Sequence, residues 1–159
     1  MSIFVAVVST VASLSLPVTT LAGNPRLFPR DAARPRAIYV VTFSKAATAE
    51  ASEWTRSLRA QKDSVRAEVF QVAVLEDVPK LFRSLVISSM KRDIPTGLYD
   101  HFWIAIKAGQ KWQECTDASN LDEAHVFLLD RGSDSIIWRS HGPLSAPKLL
   151  ELIKLQRGR

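Results

Sequence analysis

The order in which strand-like and helix-like patterns follow one another most constrains the fold of this 159-residue chain. Runs of β-branched and aromatic residues predict five strands, at 37–43, 68–75, 102–106, 125–130 and 135–140. Helical spacing of apolar residues predicts helices at 46–58, from Asp77 through Met90, and from 145–147 onward, with one or two turns at 109–115. The order is strand, helix, strand, helix, strand, hairpin, helix.

This order determines how the strands pair. A crossover helix between consecutive strands imposes parallel pairing on the first three. The tight turn at 131–134 imposes an antiparallel pair at the end. We therefore predict an α/β protein, a three-layer sandwich whose mixed central sheet carries helices on both faces.

The N-terminal region has a different character. Residues 1–22 carry no charged side chain, include a solid apolar run at 3–8, and end in small residues that resemble a cleavage site. They predict a signal peptide or an N-terminal anchor, and so an exported (periplasmic or extracellular) or membrane-anchored protein; a buried N-terminal strand and helix is the alternative. Residues 23–36 hold three prolines and predict an extended linker, which leaves 37–159 as the folded domain.

Three segments resemble the thioredoxin-like superfamily: the strand end at 40–44, the run at 126–132 and the segment at 137–139. The resemblance covers about residues 27–156 and implies a thioredoxin-like domain. The extra strand near 102–106 is similar to one in the peroxiredoxin and membrane-anchored reductase branches.

A closer resemblance is to the mitochondrial ATP synthase assembly-factor family, which chaperones the proton-channel subunit of the membrane sector, and to similar bacterial proteins. It is carried by five stretches, at 27–29, 41–44, 75–79, 91–95 and 126–138. It implies a binding or assembly role, chaperone-like, toward another and possibly membrane-embedded protein.

The chain departs from redox thioredoxins at both halves of their active site. Those enzymes keep a thiolate where the first central strand meets its helix, because the helix N-terminus lowers the thiol pKa. Here that turn contains Ser44 and Lys45 and no cysteine. Ala124 stands where the redox families keep a cis-proline, with His125 beside it. These four residues are our candidates for a binding surface in a redox-inactive groove.

The single cysteine, Cys115, supports the competing hypothesis of an enzyme. A lone thiol can attack a peroxide or exchange with a disulfide, which would make the protein a thiol peroxidase or disulfide-exchange protein. The chain has no second thiol to resolve the product, and the neighbouring Glu114 raises a thiol pKa. An inert, semi-buried thiol is the favoured interpretation.

The sequence contains little evidence for metal sites, cofactor sites or hydrolase motifs. The three histidines show no metal-ligand spacing, and no phosphate-loop, dinucleotide, nucleophile-elbow or zinc-protease motif occurs, so we predict neither metal nor cofactor. Asp100 and His101 form the one adjacent carboxylate–imidazole pair, which favours a loop-pinning role.

The net charge of +5 is spread along the chain, which predicts a solvated surface and argues against nucleic acid, whereas a protein partner is what the assembly-factor resemblance implies. On the second helix, four basic residues could instead face acidic lipid or an acidic partner, and this gives a third hypothesis, a basic membrane-surface protein. These residues are Lys80, Arg83, Lys91 and Arg92.

Overall fold

The computed structural model of the chain describes residues 9–157; the apolar run at 3–8 lies outside the described residues. The strands are β1 (Ser9–Thr10), β2 (Leu16–Thr20), β3 (Pro25–Phe28), β4 (Arg36–Thr42), β5 (Glu68–Val74), β6 (Phe102–Ala105), β7 (His125–Asp130) and β8 (Ser135–His141). The helices are α1 (Thr48–Ala60), α2 (Lys80–Asp93), α3 (Gly109–Thr116) and α4 (Ala146–Gln156), with 3-10 turns at Lys45–Ala47 and Thr96–His101.

All eight strands form one mixed sheet in the order β1-β8-β7-β4-β5-β6-β2-β3. The crossover helices α1 and α2 make β4, β5 and β6 parallel, as predicted. The turn after Asp130 folds β8 back on β7, and β7 pairs antiparallel with β4. The predicted α/β sandwich with a mixed central sheet is confirmed.

Because successive side chains of a strand point to opposite faces of the sheet, the core has two parts, one on each face. On β4, Ile38 and Val40 face α1 and α4, where they pack with Trp54 of α1 and Leu152 of α4. The intervening Tyr39 belongs to the opposite face, which α3 covers. Helices therefore lie on both sides of the sheet.

Hydrogen bonds of Trp54 and Gln156 connect α1 and α4 to the neighbouring loops. The indole of Trp54 donates to the carbonyl of Gly142 at 3.0 Å. The buried amide of Gln156 accepts from the backbone N–H groups of Arg66 and Ala67 and donates to the carbonyl of Ser64. Each of these buried groups is thereby satisfied, which burial requires.

The N-terminal segment differs from the sequence prediction. Residues 23–36 are not a linker, because β3 lies within them and pairs with β2 in an antiparallel hairpin. Strand β2 in turn pairs with β6, so the hairpin forms one end of the sheet. Leu16 and Val18 of β2, together with Phe28 of β3, are buried among core residues. The folded domain thus begins well before residue 37, and the alternative of a buried N-terminal strand describes residues 16–20. Cleavage after Ala22 stays a prediction, and it would remove β2.

Helix starts followed sequence signals only partly. The hydroxyl of Ser145 accepts a hydrogen bond from Lys148 N and caps α4, as its position predicts. Helix α2 instead begins after Pro79, so Asp77 lies too far upstream to cap it. Among residues 9–157, we find no helix with the length and apolar character that a membrane crossing requires.

Candidate functional site

The predicted site residues meet at one edge of the sheet. The chain leaves β4 at its carboxyl end through Ser44 and Lys45, and it enters β7 through Ala124 and His125. Because β7 runs antiparallel to β4, with Val41 opposite His125, the start of β7 lies at the same edge as the end of β4.

Ser44 links these two segments. Its backbone is extended, and its hydroxyl donates to Oδ1 of Asp122 at 2.8 Å instead of capping the 3-10 turn that follows. A carboxylate is a suitable acceptor for a hydroxyl, so this bond holds the loop before β7 against the start of α1. Lys45 is exposed, so its amine is not desolvated as a serine–lysine nucleophile pair would require.

Ala124 and His125 are buried, with 0% and 2% of their surfaces exposed, so a partner cannot touch their side chains in this conformation. The carbonyl of Ala124 accepts from Gly142 N at 2.9 Å. The ring of His125 donates through Nε2 to the carbonyl of Asn120 at 2.8 Å and packs edge-on against Phe43. The two residues therefore shape the groove rather than form its surface. Their burial is a finding of the structure, since His125 is the first residue of a strand that is buried almost throughout.

Between the ends of β4 and β5 lies a cavity of about 220 Å³, which the sequence did not predict. Its lining is mainly polar and comprises Phe43, Val74, Glu76, Asp77, Gly109, Gln110, Gln113 and Leu121. The Glu76 carboxylate accepts from Gly109 N, and a Cβ atom at position 109 would require the flexible Glu76 side chain to move. Glu76 and Asp77 follow directly after a buried strand, a signal that could have identified them.

Glu76, Asp77 and Asp122 give this edge an acidic character that contrasts with the net positive charge of the chain. All three are exposed, and Glu123 nearby bonds His141 at 2.9 Å. The arrangement can bind cationic groups, because clustered carboxylates lower the energy of a nearby positive charge.

Asp100 and His101 lie elsewhere. The imidazole of His101 meets the carboxylate of Glu68 at 3.2 Å and stacks on Phe70. Glu68 opens β5, so this pair lies at the edge of the sheet opposite the candidate site. His101 contributes to anchoring the 3-10 turn, as the sequence favoured.

Solved structures resemble this architecture, whereas no protein-family model and no curated protein matches the chain. The pneumococcal exposed lipoprotein thioredoxin Etrx1 from Streptococcus pneumoniae strain TIGR4 matches with a TM-score of 0.59 at 9% identity, over 89% of this chain and 98% of that chain. A thio-disulfide isomerase from Thermus thermophilus matches at 0.54 and 17% identity, over 89% and 92%. The fold is thioredoxin-like. A member of the Sco family of cytochrome c oxidase assembly proteins also matches, at 0.54 and 10% identity, over 89% and 91%.

Identities this low establish the thioredoxin-like fold, and the chemistry has to be argued from the residues of this chain. Cys115 lies on α3, on the sheet face opposite α1, and only 3% of it is exposed. Burial raises the pKa of its thiol to about 11, although the guanidinium of Arg139 acts in the opposite direction. The thiol is therefore almost entirely protonated at pH 7, and the thiolate is the form that acts as a nucleophile.

The titratable residues show no metal-site geometry in the described part of the chain. Residues 9–157 contain no group of three or more histidine, cysteine, aspartate or glutamate side chains placed to hold an ion. His125 and His141 approach each other, with ring centroids 6.1 Å apart, but one is committed to Asn120 and the other to Glu123.

Proposed function

We propose that this protein is a non-redox member of the thioredoxin-like fold that binds another polypeptide and assists its assembly. The observation that carries the proposal is the hydrogen bond between Ser44 and Asp122 at the position where redox relatives hold a thiolate. A serine engaged with a carboxylate can neither form a mixed disulfide nor reduce a peroxide.

The second hypothesis, an enzyme acting through Cys115, has weaker support. Its thiol is buried and does not line the cavity at the ends of β4 and β5, although α3 contributes to that cavity, and its raised pKa keeps it protonated at neutral pH. Thiol-based catalysis needs an accessible, acidified cysteine. The fold therefore retains a groove and lacks the reactive group that the redox enzymes place in it.

The groove offers surface suited to a polypeptide. Phe43 is half-buried and supplies an apolar contact, while Glu76, Asp77 and Asp122 surround it with carboxylates. A client segment that combines an apolar residue with lysine or arginine would match both features. We propose that the client carries such a segment.

The identity and location of the client are inferred from resemblance. The assembly-factor resemblance and the Sco-family protein, described as belonging to a family of cytochrome c oxidase assembly proteins, favour a membrane protein as the client. The pneumococcal protein, described as an exposed lipoprotein, favours an exported or membrane-anchored location. On these grounds we propose that the protein works outside the cytoplasm or tethered to a membrane.

A direct comparison of thiol activities tests the non-redox part. The full chain and its Cys115→Ser variant are assayed for insulin-disulfide reduction and for peroxide consumption. We expect no turnover by either protein. Turnover that the substitution abolishes would overturn the binding-protein proposal and establish Cys115 as an active site.

Site-specific crosslinking tests the binding part. A photoreactive amino acid replaces Lys45, at the edge of the groove, or Lys62, an exposed lysine beyond the other end of α1. We expect a discrete crosslinked client from position 45 in the source cells, and its reduction by Asp77→Lys but not by Asp63→Lys. Equal crosslinking from both positions, or insensitivity to Asp77→Lys, would contradict the groove as the binding site.

A further inference from the structure

The outer surface of α2 carries three of the six large apolar side chains that are exposed in the described chain. Leu81 and Leu85 are 86% and 65% exposed, and Phe82 is 55% exposed. Within this described helix no residue is buried; Val86, Ile87 and Met90 are the side chains that pack partly against the sheet. Large apolar residues scattered singly are ordinary, but three within five positions of one helix form a patch.

The patch continues along the helix as a defined stripe. Residues 81, 85, 88 and 92 recur at the spacing that places side chains on one side of a helix, and all four are exposed. Leucines occupy the N-terminal half of this stripe, a serine its middle and an arginine its end. We call these four residues, with Phe82, the outer stripe.

The charges on α2 are mainly positive. From residue 80 to residue 92 the helix contains no acidic side chain, and Lys80, Lys91 and Arg92 are exposed. Arg83 turns inward, where its guanidinium donates to the carbonyls of Val78 and Glu76 at 3.0 Å each. The acidic residues, Glu76, Asp77 and Asp93, lie before and after this stretch.

We propose that the outer stripe docks on an anionic lipid bilayer, with its leucines and phenylalanine in the headgroup–acyl boundary and its cations against acidic headgroups. This combination is the one by which interfacial amphipathic helices bind membranes. The exposed leucines and phenylalanine beside exposed cations supply both the apolar area and the positive charge that an anionic bilayer binds. The proposal goes beyond client binding, because no residue of the outer stripe lines the cavity at the ends of β4 and β5.

Vesicle flotation of the full chain tests the proposal. Vesicles of phosphatidylcholine with about 30 mol% phosphatidylglycerol are compared with phosphatidylcholine alone. We expect binding to the anionic vesicles only, with loss at high salt because the charges are surface-exposed and screened. Failure to float with anionic vesicles at low salt would overturn the proposal.

Matched variants locate the contact. Leu81→Ser with Leu85→Ser removes the apolar part of the stripe and is expected to weaken vesicle binding about tenfold or more. Leu150→Ser is the control, because Leu150 of α4 is 67% exposed and equally apolar. Lys91→Glu with Arg92→Glu is expected to abolish binding, and Lys154→Glu to leave most of it. Equal loss in control and test variants would overturn the assignment to α2.

A spectroscopic measurement distinguishes docking from a general effect of the substitutions. An environment-sensitive dye is attached at Ser88→Cys in the outer stripe or at Gln61→Cys beyond the end of α1, both exposed positions. We expect a blue shift on anionic vesicles at position 88 alone. The same shift at position 61, or none at position 88, would contradict docking through α2. Vesicle flotation and dye fluorescence do not depend on the groove residues, so a failed search for a client would not affect either measurement.

Discussion

The N-terminal hairpin β2–β3 and the helix α2 both lie toward one end of the sheet, yet they relate to the core in opposite ways. The hairpin comes from a segment without helical or long strand-like runs, and it buries Leu16, Val18 and Phe28. Helix α2 carries six large apolar side chains among its 14 residues, and none of these described residues is buried. The apolar content of a segment therefore does not determine how much it contributes to stability. The contribution depends on the residues against which the segment packs.

The face beneath the hairpin explains the contrast. Phe28 fits edge-on against Tyr39 and Phe127, with ring centroids 5.0 and 5.8 Å away, and it also meets Trp112. Edge-to-face aromatic pairs stabilise a core beyond the area they bury. Helix α2 instead contacts the sheet through side chains that stay partly exposed, so its outer stripe is free for another role.

The largest expected effect is that of removing the hairpin strand. A chain consisting of residues 23–159 lacks β2 and with it the buried side chains of Leu16, Val18 and Leu21. We expect no cooperative thermal transition by circular dichroism, because β3 loses its partner and the aromatic face loses its cover. A chain that begins at Ser9 is the control and is expected to melt cooperatively. Equal melting of both chains would show that the hairpin is dispensable, and it would revive cleavage after Ala22.

A single substitution in the hairpin gives the next largest effect. Phe28→Ala leaves a cavity among three aromatic rings and should lower the free energy of unfolding by about 3–5 kcal/mol. Leu27→Ala changes the neighbouring, half-buried residue of the same strand and should cost much less. Urea denaturation monitored by tryptophan fluorescence measures both. Similar losses would mean that the strand, rather than the aromatic contact, carries the stability.

The pH dependence of stability probes the same covered face through Cys115. Its thiol pKa is raised by burial from 9.0 to about 11, so between these values the unfolded chain releases a proton that the folded chain retains. The folded state binds more protons there, and stability must fall as pH rises, by up to about 1.4 kcal/mol per pH unit.

Cys115→Ala removes this dependence while other groups titrate unchanged. We therefore expect the stability difference between wild type and Cys115→Ala to decrease from pH 9 to pH 11 and to be constant below pH 8. A pH-independent difference would mean that the thiol is solvated, and it would return Cys115 to the list of reactive groups.

Much of the fold could be predicted from the sequence because its signals are local. The run at 37–43 is apolar on both faces, which predicts a central strand. The turn at 131–134 is short, which predicts an antiparallel pair. The hairpin β2–β3 escaped prediction because its pairing partners, Ile104 and Trp103 of β6, are more than 80 residues away. Each of its two strands also contains a proline, a residue typical of linkers, although edge strands tolerate proline.

The candidate site was predicted less well, for a similar reason. The edge of the sheet was identifiable from Ser44, since a helix follows a strand there. Asp122 was not, because its bond to Ser44 joins residues 78 positions apart. Burial of His125 could not be deduced either, since a polar residue at a strand start is compatible with both a buried and an exposed position.

The smallest expected effect completes the contrast between the hairpin and α2. Leu81→Ala and Leu85→Ala remove side chains that already lie in water, so each should change the free energy of unfolding by no more than about 0.5 kcal/mol. Urea denaturation of the two variants beside Phe28→Ala measures this directly. A loss above about 1 kcal/mol would mean that the outer stripe is covered in solution, and size-exclusion chromatography would then show whether a second copy covers it. Unchanged stability together with lost vesicle binding is the combination that separates a binding surface from a part of the core.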